Sequence, residues 1–512
     1  MSISEKLAES REEPLDQEHG QGTSFEVVTT TWSEHFQILW ACKRAAFSCL
    51  ACSSAAVLIG YDMTLIGSII ANVEFVKKFG DYDVKTDTWT LPADEQLVWS
   101  VVQYVSAMCG AMGAGYMNDV IGRRAVFHIL VACTMVGTIV ELFSPDWKVW
   151  IVAKLLFGAA MGFMQGTIPA YISELAPSRV RGFLLSLFQF WIMFGSFVAS
   201  CVLEGTSHVE GPWSWKGTIV SQLGLGVMCL ALFIPLVPES PYYLVSKGRL
   251  DAAKAALLTM RGSEANYMVE EDLAAIVGLL EHEKLEKGAS PSYMECFQGP
   301  NFRRTFLACL PMVMQHFLGY PLCGNYLAYF LTLSGMDNSF TITVISLTVA
   351  MLAIICAFVL IERVGRRLQY LVGTFAILPL LLCIGILGFV PSSAAVLRGV
   401  ASLCIIWSFL WYLSVGAVGW TIVGEISSPR LRPKTTSLAA TINSLINMGW
   451  SIAIPYLVNS ERANLGPKTG LVFFGPSLFL AAIAYFVMPE TKGKTFEELD
   501  ALFESRTPAR KL

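Results

Sequence analysis

Hydrophobic residues in this chain fall in unbroken runs of about twenty, the length at which an α-helix crosses a bilayer core. The runs lie at roughly 46–70, 97–118, 125–144, 150–172, 183–204 and 217–238, and again at roughly 305–333, 340–361, 369–390, 397–423, 435–458 and 469–488. Only helices or closed barrels satisfy their backbone in lipid, and these runs lack the apolar–polar alternation of a barrel. The pattern predicts an all-α membrane protein with twelve transmembrane helices in two six-helix halves. It also predicts a polar tail at 1–44, a bundle at 45–238, a linker at 239–304, a second bundle at 305–488 and a tail at 489–512. Two stretches of the linker, Leu250–Met260 and Val269–Glu286, carry helical periodicity and are expected to pack as amphipathic helices on the inner face.

Composition agrees with that pattern. Only 15% of the residues are charged, against about a quarter in an ordinary soluble domain. A net charge of −4 over 512 residues gives no footprint for nucleic acid. Of thirteen cysteines, most lie inside apolar runs, among them Cys49, Cys52, Cys109, Cys133, Cys356 and Cys383, where they act as small hydrophobes. The first 43 residues have no basic region followed by an apolar stretch and a cleavage site, so they read as a cytosolic tail.

Basic residues in short loops set the orientation. One set of loops holds Arg123 and Arg124; Arg179 and Arg181; Arg363, Arg366 and Arg367; and Arg430, Arg432 and Lys434. The loops at 205–215, 334–339 and 391–395 have no Lys or Arg. The arginine-rich loops, the linker and both termini are therefore expected in the cytosol.

Those loops also repeat. Asp119-Val120-Ile121-Gly122-Arg123-Arg124, after the second run, is echoed by Glu362-Arg363-Val364-Gly365-Arg366-Arg367 after the eighth. Glu174, Arg179 and Arg181 are echoed by Glu425, Arg430 and Arg432, and Pro238-Glu239 by Pro489-Glu490. The last two pairs share one offset, since 425 − 174 and 490 − 239 both give 251. Such self-similarity marks parallel repeats and so makes the halves pseudo-symmetric. Acids and paired arginines at neighbouring helix ends suit charge-assisted contacts that clip those ends together in one state and release them in another.

The motifs resemble the sugar-porter branch of the major facilitator superfamily over about residues 45 to 505. They are Gly60-Tyr61-Asp62, Gly115-Tyr116-Met117-Asn118-Asp119 with Gly122-Arg123-Arg124, Pro238-Glu239-Ser240-Pro241-Tyr242-Tyr243-Leu244 and Pro489-Glu490-Thr491-Lys492-Gly493. Within that branch the chain is most similar to fungal α-glucoside (maltose):proton symporters. Gly60 to Gly67, Arg430-Leu431-Arg432-Pro433-Lys434-Thr435, Gly466 to Gly470 and Thr495 to Glu504 carry that likeness. The resemblance implies the major facilitator fold, a fungal plasma membrane, a sugar and protons as partners, function as a monomer, and neither cofactor nor metal.

A carboxylate inside a span is costly and marks a functional site by default. Asp62 lies in the outer half of the first run and Lys154 enters the fourth from the same side, so the two are expected at similar depth as a proton-coupling pair or a static salt bridge. Proton-using sugar porters commonly have arginine at the Lys154 position and the α-glucoside group glutamine; this chain departs from both. By resemblance, sugar-facing positions are Gln189, Gln315, His316, Asn325, Tyr326, Tyr329, Trp420 and Asn443. Two further departures stand out: Ala417 replaces a proline of the family's Gly-Pro-x-x-Trp pattern, and Ser196 stands where a glutamine is expected.

The expected function is proton-coupled import of a sugar, an α-glucoside such as maltose, by alternating access. Alternatives are a facilitative uniporter, a sugar-porter scaffold turned to import or export of another glycoside or metabolite, and a non-transporting sensor. No metal-ligand spacing, nucleophile motif or phosphate loop argues for an enzyme or for ATP drive.

Overall fold

The computed structural model describes residues 40, 43–69, 72–83, 88–90, 92–176, 180–207, 209–261, 268–287, 292–327, 330–331, 339–391, 393–428, 430–458, 463, 465–494, 498–499 and 502–503. The first half begins with α1 (Lys43–Ser54) and α2 (Ala56–Ile69), which form one span. A short α3 (Val73–Phe79) and a hairpin of β1 (Asp81–Asp83) and β2 (Thr88–Thr90) follow. Then come α4 (Ala93–Val120), α5 (Arg123–Leu142), α6 (Trp147–Leu175), α7 (Arg181–Ser207) and α8 (Trp213–Leu236). The linker folds as α9 (Pro241–Ser246), α10 (Leu250–Arg261), α11 (Val269–Lys287) and a 3-10 turn, Tyr293–Phe297.

The second half repeats the layout. Its helices are α12 (Gly299–Phe317), α13 (Ser339–Arg363), α14 (Arg366–Leu387), α15 (Ala394–Trp411), α16 (Ala417–Ile426), α17 (Arg432–Val458) and α18 (Thr469–Val487). Among the described residues, ten segments are long and apolar enough to cross a membrane. The remaining two of the twelve spans, α12 and α17, are diluted by polar side chains: Arg303, Arg304, Gln315 and His316 in one, Arg432, Lys434, Asn443 and Asn447 in the other.

Two predicted continuous runs are interrupted. The seventh breaks after Phe317 at Gly319, whose φ of +92° is a conformation that disfavours other residues, and resumes in a π-helical turn, Pro321–Asn325. In the tenth, a π-helical turn at Tyr412–Gly416 joins α15 to α16. The helix is therefore irregular here even without the proline that Ala417 replaces.

Lipid tails give helices no hydrophobic reason to associate, so close approach falls to small residues. A Cβ on Gly158 of α6 would collide with the Gln103 carbonyl of α4, and one on Gly60 of α2 with the Ile192 carbonyl of α7. These contacts set how near α6 lies to α4 and α2 to α7. At the end of the bundle remote from the linker, Phe75 and Phe79 of α3 pack edge-on to Trp150 and Trp215, with Trp99 alongside. Asn72 holds α3 there. Its Oδ1 accepts the amides of Glu74 and Phe75, and its Nδ2 donates to Ser214 Oγ at 2.7 Å.

Candidate functional site

Four buried polar side chains meet one helical turn below that aromatic cap. Lys154 Nζ lies 2.9 Å from Asp62 Oδ1 and 2.7 Å from Glu141 Oε1. Gln103 Nε2 donates to Asp62 Oδ2 at 2.6 Å. Lys154 also sits over the rings of Trp150 and Phe157, at 5.7 and 5.1 Å. Asp62 and Lys154, expected at similar depth, are thus in contact, joined by two groups that the sequence reading did not single out. Two carboxylates share one ammonium, so the fully ionised cluster carries a net negative charge in a nearly waterless place. Beside Asp62, a void lined by Leu58, Ile59, Thr134, Phe157 and Met161 has room for about one water molecule.

A second polar group joins the two halves. His316 Nε2 is 2.8 Å from Asn443 Oδ1, and Asn443 Nδ2 donates to Gln165 Oε1 of α6 at 3.3 Å. Gln315 Nε2 donates to the Val415 carbonyl in the π-helical turn at 3.1 Å. Trp420 is buried with its ring edge-on to Phe188 of α7, centroids 5.3 Å apart. Gln189 is buried on α7, while Asn325 and Tyr326 are half-buried at the end of the π-helical turn. Tyr329 lies outside the described residues. Ser196 donates to the Gly60 carbonyl at 3.1 Å.

At the linker end, the repeated motifs form two matching clusters. Arg123 Nη2 meets Glu174 Oε1 at 2.8 Å, and Arg366 Nη2 meets Glu425 Oε1 at 3.0 Å. Each arginine also donates from Nη1 to a carbonyl five residues back, Asn118 or Ile361, at 2.9 and 3.0 Å. Ser240 Oγ and Thr491 Oγ1 donate to the second oxygens, Oε2, of Glu174 and Glu425. Glu239 accepts the amides of Arg123 and Arg124, and Glu490 those of Arg366 and Arg367, at 2.9 to 3.2 Å. A carboxylate there satisfies the orphan N–H groups and the positive end of α5 or α14. Burial pushes the Glu239 carboxyl above the usual carboxylate range, and the N–H donors of Ser240, Arg123 and Arg124 oppose that push. Gly122 and Gly365 precede these helices at φ of +90° and +96°, where a Cβ would also strike the glutamate.

These clusters close within each half. Between halves, Lys434 of α17 pairs with Asp119 of α4, and Phe183 packs edge-on to Phe358 at 5.3 Å. The linker bridges both halves: Tyr293 Oη donates to the Met112 carbonyl at 2.6 Å, and Glu295 Oε2 pairs with Arg430 at 2.6 Å. Arg181 is buried within electrostatic reach of Glu425 and of Arg432, which is buried too. Arg179 and the Glu362 side chain lie outside what is described.

Twelve helices in two alike halves, with polar groups buried between them, define a membrane transporter of the major facilitator fold. The chain belongs to the Sugar (and other) transporter family, which matches residues 48–503. It is 30% identical to MFS transporter fmqE of Aspergillus fumigatus over 490 residues, 94% of this chain and 90% of that protein. It is 29% identical to the general alpha-glucoside permease of Saccharomyces cerevisiae over 492 residues, 93% of this chain and 78% of the permease. The proton:xylose symporter XylE bound to 6-bromo-6-deoxy-D-glucose superposes with a TM-score of 0.78 at 20% identity, over 90% of this chain and 99% of XylE. The inward open xylose transporter XylE from E. coli superposes at 0.66, also at 20% identity, over 89% and 98%. The likeness to XylE is one of fold.

Proposed function

We propose that the protein imports an α-glucoside such as maltose together with a proton, by alternating access between its halves. The observation that carries the reading is the buried Asp62–Lys154–Glu141 cluster. A facilitator needs only a neutral pair, whereas one ammonium between two carboxylates leaves a place for one proton. The similarity to an α-glucoside permease supports the substrate class. In this reading Gln189, Gln315, His316, Asn325, Tyr326, Tyr329, Trp420 and Asn443 face the sugar, and the linker end with both termini faces the cytosol of a plasma membrane. The molecule works as a monomer.

The test is uptake of labelled maltose by hexose-transport-deficient yeast expressing the protein, with external pH recorded. Uptake with alkalinisation of the medium is the expected result, and uptake without it would mean facilitated diffusion.

One observation favours a second reading. Gln315, His316 and Asn443 already bond to Val415, to each other and to Gln165, and a relative at 30% identity is named only as an MFS transporter. A less polar glycoside or metabolite, imported or exported on the same scaffold, suits such a site. Absent maltose uptake beside movement of such a compound would select this reading.

A further inference from the structure

The two carboxylates that share Lys154 are not equivalent. Both oxygens of Asp62 face donors, Lys154 Nζ at 2.9 Å and Gln103 Nε2 at 2.6 Å. Two donors hold a carboxylate in its charged form. Glu141 faces Lys154 through Oε1 alone, as an ion pair without hydrogen-bond geometry, and among the described residues its buried Oε2 has no hydrogen-bond partner. A buried anionic oxygen without a donor is costly, and a proton on it removes that cost. Charge balance points the same way. Glu141 is 0% exposed and Lys154 and Asp62 only 1% and 4% by side chain, so one added proton makes the cluster neutral.

We propose that Glu141, rather than Asp62, is the carboxylate that carries the coupled proton. This inference rests on the symport reading above. Protonation forms one O–H bond on Glu141 Oε2 with a proton delivered by water, and breaks no bond in the protein. Lys154 then belongs wholly to Asp62; loss of the proton draws it back between the two carboxylates. The charged and titratable neighbours are Asp62 from α2 and Lys154 from α6, with Tyr104 of α4 within electrostatic reach of Asp62. The amide of Gln103, which does not titrate in this range, completes the shell. Asp62 becomes the fixed anion that keeps Lys154 charged, and Glu141 the group whose charge changes.

The assignment is tested without any sugar by infrared difference spectroscopy of the full chain in lipid nanodiscs, titrated from about pH 5.5 to 8.5, above the range of exposed carboxyls. A carboxylic-acid C=O band is expected in the wild type, and the charge-conserving swaps assign it: Glu141→Asp moves its frequency, while Asp62→Glu leaves it in place. A band that moves in Asp62→Glu and stays in place in Glu141→Asp would overturn the proposal. Removing either carboxylate, as in Glu141→Gln, leaves Lys154 a single partner and is expected to abolish the band. Proteoliposomes loaded with maltose separate the coupling role from the symport reading. Glu141→Gln is expected to keep maltose counterflow and to lose accumulation driven by a pH gradient. Gradient-driven accumulation that survives in Glu141→Gln would overturn the proposal while leaving symport intact. Wild-type maltose flux that moves no proton would overturn the symport reading, and the coupling role with it.

Discussion

Arg366 is 2% exposed and reaches the Glu425 carboxylate with one terminal nitrogen and the Ile361 carbonyl with the other. Removing it would take from Glu425, itself 5% exposed, its 3.0 Å ion pair. Breaking one side of a buried pair costs about 3–5 kcal/mol, far more than the pair contributes over an apolar replacement. Arg366→Ala and its counterpart Arg123→Ala are therefore expected to lower the thermal unfolding midpoint of the purified protein sharply, read by tryptophan fluorescence. Arg124→Ala is the contrast. Its side chain is exposed, where a charged contact contributes at most about 1 kcal/mol, and alanine keeps the backbone N–H that Glu239 accepts, so the loss should be several-fold smaller. Equal losses from Arg124→Ala and Arg123→Ala would show that position in the repeat, and not burial, sets the cost.

At the scale of helices, the Asp62–Lys154–Gln103 contacts exist because α4 and α6 approach closely at Gly158, one turn beyond Lys154. A methyl there would meet the Gln103 carbonyl, so Gly158→Ala forces the two backbones apart. Overpacking of this kind costs about 1–3 kcal/mol, and the displacement moves Gln103 off Asp62. The variant should unfold at lower temperature and lose sugar uptake. Gly224→Ala in α8, where a Cβ meets nothing within 4 Å, should leave both unchanged or slightly improved. A Gly158→Ala protein with normal uptake would remove the argument for close approach. The same helices show what the sequence could and could not convey. Apolar runs gave the spans, and depth arithmetic was enough to expect Asp62 beside Lys154. Glu141 was equally visible as a carboxylate flanked by Val140 and Leu142, but it stands at the end of a run, where an acid passes for a boundary residue. Gln103 was silent because an amide in a span has many ordinary roles. The breaks at Gly319 and Tyr412–Gly416 could not be read from hydropathy, since an apolar run looks the same whether its helix is regular or bulged.

At the scale of the whole molecule, the repeated loop motifs predicted charge clusters at helix ends. They did not reveal that Arg123–Glu174 and Arg366–Glu425 brace each half internally. The fastening between halves sets unrepeated partners on repeated residues: Lys434 on Asp119, and Glu295 of the linker turn on Arg430, with Tyr293 of the same turn on the Met112 carbonyl. That division of labour suits rigid halves rocking about a weak clasp. Asp119 is 30% exposed, so its pair with Lys434 contributes about 0.5 kcal/mol. The Tyr293 hydroxyl on the Met112 carbonyl contributes about 1 kcal/mol. Neither alone moves a two-state equilibrium far, but together they shift it about tenfold. The double variant Lys434→Ala with Tyr293→Phe is expected to populate the form open at the linker end. In nanodiscs its backbone amides over 112–120, 292–297 and 430–437 should exchange with deuterium faster than those of the wild type, while α14, inside one half, keeps its protection. Uniformly faster exchange, α14 included, would mean loss of fold and not release of a clasp. Unchanged exchange at all three segments would mean that the halves are held by their buried contacts, Phe183 on Phe358 and Asn443 on Gln165, and that the linker turn only rides on them.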